Sequence, residues 1–301
     1  FLPGDRGFLF VGGWVDLKMY YSNLLLILSL LSMLNTTCSK RPVLSEPSIY
    51  ENEQITGTVF NHLFHSKILN DSREIFVWVP DDYNSNNKNY PLLVLHDGQN
   101  VFHAGGSISG NEWHIDESVT KMINSNEIEP LIMVGVSNTK NRSLEYNPML
   151  GGRRYGEALT QELLPAILKQ YRVSNSSNKT GTMGASMGGL ISLYLGWEVN
   201  SIFSMAACLS PALMYRNFDY VNELEKSKTP QNLKLAIVNG TEDLDAALQN
   251  GVNECIAYLK GNNFPNNNLL YWIGEGDSHT ELSWAEQSKK ILKWMYPKNA
   301  Q

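Results

Sequence analysis

From Ile55 onward, short apolar runs alternate with segments whose apolar residues recur every three to four positions. Residues 58–64 and 74–79 read as two antiparallel strands joined by the turn-forming Asn70-Asp71-Ser72. Residues 91–95 and 131–136 are continuous apolar runs, the pattern of strands covered on both faces. Between them, residues 115–123 have helical spacing. Residues 154–171 predict a long amphipathic helix with Ala158, Leu163, Leu164, Ile167 and Leu168 inward. Residues 180–185 lead through a turn into a helix over 187–198, and 203–209 and 233–238 are further strands. A helix over 245–259, a strand over 269–273 and a helix over 282–295 complete the series. Two leading antiparallel strands followed by this alternation predict an α/β protein: one doubly wound, mainly parallel sheet with helices on both faces. The Asn-rich stretches 84–89 and 262–268 read as polar connectors within that domain.

The N-terminus breaks the pattern. Residues 1–18 match no element of the later fold and are expected to be upstream read-through, with translation starting at Met19. The apolar run 24–34 is too short to span a bilayer and suits a signal peptide. Residues 19–38 are therefore expected to direct export, to the periplasm, the exterior or the membrane surface. Cys38 lies where a lipoprotein carries its acylated cysteine, which makes it a candidate lipid anchor, although Asn35-Thr36-Thr37 fits that signal poorly. Residues 39–54 read as a tether and 55–298 as the catalytic domain.

The chain has 301 residues, 43% hydrophobic and 18% charged, enough apolar content for one large core. A formal charge of −6 without a basic run argues against nucleic acid as a partner. Cys208 and Cys255 read as buried small hydrophobes. No cysteine pair has metal-ligand spacing, and the six histidines are scattered, so neither metal nor organic cofactor is expected.

The chemistry concentrates at Gly184-Ala185-Ser186-Met187-Gly188-Gly189, between a predicted strand and a predicted helix. A sharp strand-to-helix turn crowds the residues two before and two after its serine, so both must be small; Gly184 and Gly188 meet that need. Ser186 is then a nucleophile held above the sheet, and the Met187 N–H can face a developing oxyanion. A serine needs a base, and the base an orienting acid. His279, in the polar loop after the strand over 269–273, is the one histidine downstream of Ser186. The acid is expected in the preceding loop, Asn239-Gly240-Thr241-Glu242-Asp243-Leu244-Asp245. Asp243 is the first choice and Glu242 the second, with Asp245 read as a cap of the next helix. The loop after the strand over 91–95 supplies a second oxyanion donor, the Gln99 N–H or its neighbour, beside Gly98. His96 and Asp97 read as braces of that loop.

Four segments together resemble the esterase family of α/β hydrolases that holds enterochelin-esterase-like and feruloyl- or acetyl-xylan-esterase-like enzymes. They are His96-Asp97-Gly98-Gln99-Asn100-Val101-Phe102, Arg142-Ser143-Leu144-Glu145-Tyr146-Asn147-Pro148, the Ser186 turn, and residues 276–284 around His279. The resemblance implies the α/β-hydrolase fold, a Ser186–Asp243–His279 triad and an oxyanion hole from Gln99 and Met187. It further implies a substrate cleft lined by Trp113, with Arg142 and Tyr146 at its rim. Core packing is the other reading of Trp113. The implied activity is ester hydrolysis through an acyl-enzyme, on a small-molecule or polysaccharide ester such as an acylated polysaccharide or a siderophore lactone. An acyltransferase or a non-catalytic binding lipoprotein are the alternatives.

Overall fold

The computed structural model describes residues 42–107, 110–215 and 218–298. The expectations for residues 1–18, for the export segment 19–38 and for a lipid anchor at Cys38 lie outside them.

Nine strands form one sheet in the order β1-β2-β3-β5-β4-β6-β7-β10-β11. The leading strands are β1 (Ser48–Ile49), β2 (Thr58–Ser66) and β3 (Asp71–Val79), with Asn70 supplying the left-handed turn residue between β2 and β3. They are antiparallel to each other, and β3 is antiparallel to β5 (Ile132–Val136). From β5 across β4 (Leu92–His96), β6 (Thr180–Ala185), β7 (Met205–Leu209), β10 (Lys234–Gly240) and β11 (Leu269–Gly274), every pairing is parallel. A two-stranded hairpin, β8 (Met214–Tyr215) with β9 (Phe218–Asp219), stands apart from the sheet.

The helices are α1 (Ile115–Asn124), α2 (Arg142–Glu145), α3 (Gly152–Ala158), α4 (Leu164–Gln170), α5 (Met187–Glu198), α6 (Val221–Leu224), α7 (Asp243–Gly261) and α8 (Glu281–Met295). Alternate residues of each central strand feed two apolar layers. Val94, Val134, Cys208 and Ile237 meet α3, α4, α5 and α7, while Leu93, Met133, Met183 and Val238 meet α1 and α8. Helix α5 is buried from Gly188 to Trp197, which is why no charge interrupts that stretch. The helix expected over 154–171 is divided: a π turn at Leu159–Leu163 separates α3 from α4. Pro165, at the start of α4, cannot donate to the preceding turn and would crowd the carbonyl four residues back; the wider turn accommodates it.

The tether expected over 39–54 is corrected in part. Leu44 is buried against Phe64, the Val43 carbonyl accepts from the His65 N–H, and β1 pairs with β2. The folded unit therefore begins before Leu44. Cys208 and Cys255 are both buried free thiols.

In parallel sheets of this kind, ligands meet the loops beyond the carboxyl ends of the strands, where the chain reverses its direction of travel across the sheet. Here β4 leads outward to β5, and the chain then returns past β4 to β6. The loops after β4 and β6, carrying Gln99 and Ser186, lie on either side of that reversal.

Candidate active site

Ser186 joins β6 to α5 with φ 58 and ψ −121, a conformation disfavoured for a residue bearing a side chain. Its N–H donates to Leu209 O on β7 (2.9 Å), and its carbonyl accepts from Leu190 and Ala212 (both 3.1 Å). The turn is tight enough that a Cβ on Gly184 would lie 2.5 Å from the Gly188 carbonyl oxygen, so glycine is required there, while a Cβ on Gly188 would come no nearer than 3.3 Å, to Asp97 Oδ2. Met187 opens α5, and its N–H is one of the helix's first four, which have no partner within the helix.

The loop after β4 is pinned from several sides. Asp97 adopts a left-handed φ of 59, and Gly98 lies so near β5 that a Cβ would stand 2.4 Å from the Gly135 carbonyl carbon. Gln99 follows in a single 3₁₀ turn and accepts the Asn138 N–H through Oε1 (3.1 Å). The Asp97 carboxylate receives Arg142 Nε (2.7 Å), Arg142 Nη2 (2.8 Å) and Asn138 Nδ2 (2.6 Å). Its N–H donates to the Tyr146 hydroxyl (3.1 Å). His96, fully enclosed, contacts Tyr155 Oη and Thr182 Oγ1 (both 3.0 Å). Burial pushes its pKa down to about 4 and keeps the ring neutral. The bracing roles read for His96 and Asp97 match this geometry.

Opposite, the loops after β10 and β11 are bonded together: Thr241 and Glu242 N–H both donate to Asp277 O (3.0 Å). His279 Nδ1 lies 2.6 Å from Asp245 Oδ1. Asp245 is buried, and its Oδ2 accepts from Ser210 Oγ (2.7 Å) and the Gly240 N–H (2.8 Å). Ser210 Oγ in turn accepts Trp284 Nε1 (3.0 Å). The ring of Trp284 meets the His279 ring edge-on, 5.0 Å between centroids. With Nδ1–H donating to Asp245, Nε2 is left as the basic nitrogen.

Three expectations are corrected. The carboxylate at the imidazole is Asp245, not Asp243: α7 begins at Asp243, whose side chain is exposed, and its first turn carries Asp245 inward. Trp113 is 2% exposed and packs on Trp284 (5.7 Å), so it belongs to the core behind the histidine and does not line a cleft. Tyr146 is likewise buried, bonded beneath the β4 loop by its hydroxyl. Arg142 does reach the rim, with its side chain 30% exposed, but its guanidinium is committed to Asp97. Ser210 was missed; the one available signal was a polar residue directly after the apolar strand β7.

A fold of this topology, with a serine at a strained strand–helix turn after β6 and a carboxylate-bound histidine in the loop after β11, is of the α/β-hydrolase type. The sequence matches the family described as Putative esterase over residues 66–293, and the chain belongs to it. Membership makes it a carboxylic ester hydrolase. It is 22% identical over 247 residues to the uncharacterized protein YbbA of Bacillus subtilis (strain 168), covering 76% of this chain and 94% of that one. A ferulic acid esterase structure superimposes with a TM-score of 0.64 at 20% identity, over 79% of this chain and 97% of that chain. The enterobactin esterase FES from Shigella flexneri gives 0.64 at 18%, over 86% of this chain and 61% of that longer chain. The BES protein from Bacillus cereus gives 0.64 at 18%, over 83% and 99%.

Proposed function

We propose that Ser186, His279 and Asp245 form the catalytic triad of this esterase, and that it hydrolyses a small-molecule ester through an acyl-enzyme. The observation that carries the reading is the 2.6 Å contact between His279 Nδ1 and the buried Asp245 carboxylate. That carboxylate is joined to the serine turn through the loop after β7, where Ser210 bonds Asp245 and the Ala212 N–H bonds Ser186 O. Asp245 fixes the tautomer and stabilises the imidazolium. Nε2 takes the Ser186 hydroxyl proton as Oγ attacks the ester carbonyl. The Met187 and Gln99 N–H groups receive the negative charge on the carbonyl oxygen. Collapse of this intermediate breaks the ester C–O bond, and His279 returns the proton to the departing alcohol. Water, deprotonated by the same nitrogen, then attacks the acyl-enzyme, releasing the acid and regenerating Ser186.

Ferulic acid and enterobactin, in the names of two structural neighbours, favour an ester with an aromatic acyl part. A siderophore lactone is of that kind, and a feruloylated polysaccharide carries the same group on a larger alcohol. Export through residues 19–38 would place the reaction outside the cytoplasm. A panel of p-nitrophenyl acyl esters, feruloyl esters and a ferric catecholate lactone, assayed with and without an added alcohol acceptor, tests the reading. The expected outcome is free acid as the product, with turnover lost on the order of 10³-fold or more in Ser186→Ala. Wild-type rates in that variant would contradict the triad, and acyl transfer to the alcohol in preference to water would contradict hydrolysis.

A further inference from the structure

On the far side of Trp113 from His279, the turn into α1 gathers carboxylates around one imidazole. Glu112 is buried, and neither of its carboxylate oxygens has a hydrogen-bond partner. Its Oε1 lies 3.8 Å from His114 Nδ1, which is 3.2 Å from Glu117 Oε1. Donor atoms of all three residues fall within 4.8 Å of one another. Asp116 Oδ2 accepts the Thr56 N–H (2.7 Å), and the Asp116 and Glu117 carboxyls share a side-chain hydrogen bond. No Arg or Lys forms an ion pair with Glu112, Asp116 or Glu117 among the described residues. Lys121 lines the same cleft as Glu117, while Lys289 and Lys293 on the facing α8 pair with Glu286 and Glu127. Buried carboxylates are normally paired, hydrogen-bonded or bound to a metal.

We propose that Glu112, His114 and Glu117 bind one divalent transition-metal ion, with zinc the best match, and that the ion clamps the turn carrying Trp113. Ligands about 2.0–2.1 Å from a tetrahedral zinc stand roughly 3.3 Å apart. The separations of 3.2 and 3.8 Å from His114 are near that spacing, and the Glu112 and Glu117 oxygens lie within 4.8 Å of each other. An imidazole among carboxylates favours zinc over magnesium or calcium, which take oxygen ligands. His114 and Glu117 open onto a cleft between α1 and α8, which provides entry, while Glu112 closes the site from within. The site lies behind the Trp113–Trp284 pair, so its role is structural and independent of the triad.

The test is a titration of zinc chloride into the full chain after chelator treatment and desalting. Heat and tryptophan fluorescence are followed, and retained metal is counted after gel filtration. One zinc per chain is expected, with a fluorescence change from Trp113. Binding should weaken tenfold or more in Glu112→Gln and in His114→Gln. His114 is largely exposed, so its variant keeps the fold even if the buried one does not, and circular dichroism checks both. Failure of the wild type to retain stoichiometric zinc, or undiminished binding in the folded His114→Gln variant, would overturn the proposal.

Discussion

Three hydrogen bonds converge on the Asp245 carboxylate, from His279 Nδ1, Ser210 Oγ and the Gly240 N–H. Together they hold it in one orientation. Asp243, two residues earlier, faces solvent. Asp245→Asn is therefore expected to lower kcat by about 10² to 10⁴, since an amide cannot hold the imidazole in the same tautomer. Asp243→Asn should stay within about twofold of wild type, and steady-state kinetics on one ester compares the two directly. His96 supports a second prediction at this scale. The folded protein keeps it neutral down to about pH 4, whereas the unfolded chain takes up a proton near 6.5. Unfolding thus binds a proton in that window, and this contribution to stability, complete above pH 6.5, is lost as the pH falls toward 4. For so enclosed a ring the loss is on the order of 3 kcal/mol. Thermal melts at pH 7.5 and 5 should show a larger drop in Tm for wild type than for His96→Asn; equal drops would refute the assignment.

Among the elements, the short helix α2 links much of the polar layer under the site. It carries Arg142 to Asp97 and Glu145 to Arg73, and Tyr146 follows it to the Asp97 N–H. The Arg73–Glu145 pair is bidentate at 2.8 Å, with Arg73 essentially enclosed. Glu145→Ala removes both short bonds and leaves the buried guanidinium only its 3.5 Å contact with Asp71, and a destabilisation of about 3 kcal/mol is expected in denaturant unfolding. A loss below about 1 kcal/mol would show the pair to be dispensable. Strand and helix periodicity had located the major elements, including β6 and α5, because each buries a continuous apolar face. Helix α2 and the hairpin β8–β9 escaped it, being too short to carry a period. The acid was misplaced by the same kind of limit. Three carboxylates crowd one loop, and the choice depends on where α7 starts. That point is set by bonds from Thr241 and Glu242 to Asp277, nearly forty residues away. Motif position gives no information about depth, so it left Trp113 between cleft and core and set Tyr146 at the rim; both are buried.

At the scale of the whole molecule, a strand reversal at β4 and β6 sets the Gln99 loop beside the Ser186 turn, while β7, β10 and β11 lead to Ser210, Asp245 and His279. The parallel order of these strands brings to one sheet edge residues that are separated by nearly two hundred positions in sequence. The placement of Ser186 at the β6–α5 turn and of His279 in the loop after β11 was legible because chain order and turn composition constrain them, whereas the Ser210 bond to Asp245 exists only in the assembled sheet. Covalent trapping tests most directly whether Ser186 is the nucleophile of this esterase. The wild-type chain is treated with a fluorophosphonate, digested, and read by peptide mass spectrometry. The account predicts one stoichiometric adduct on Ser186, lost esterase activity in step with labelling, and no adduct in Ser186→Ala. Full inactivation with the adduct on another residue, or ester hydrolysis that persists in a fully labelled protein, would contradict it.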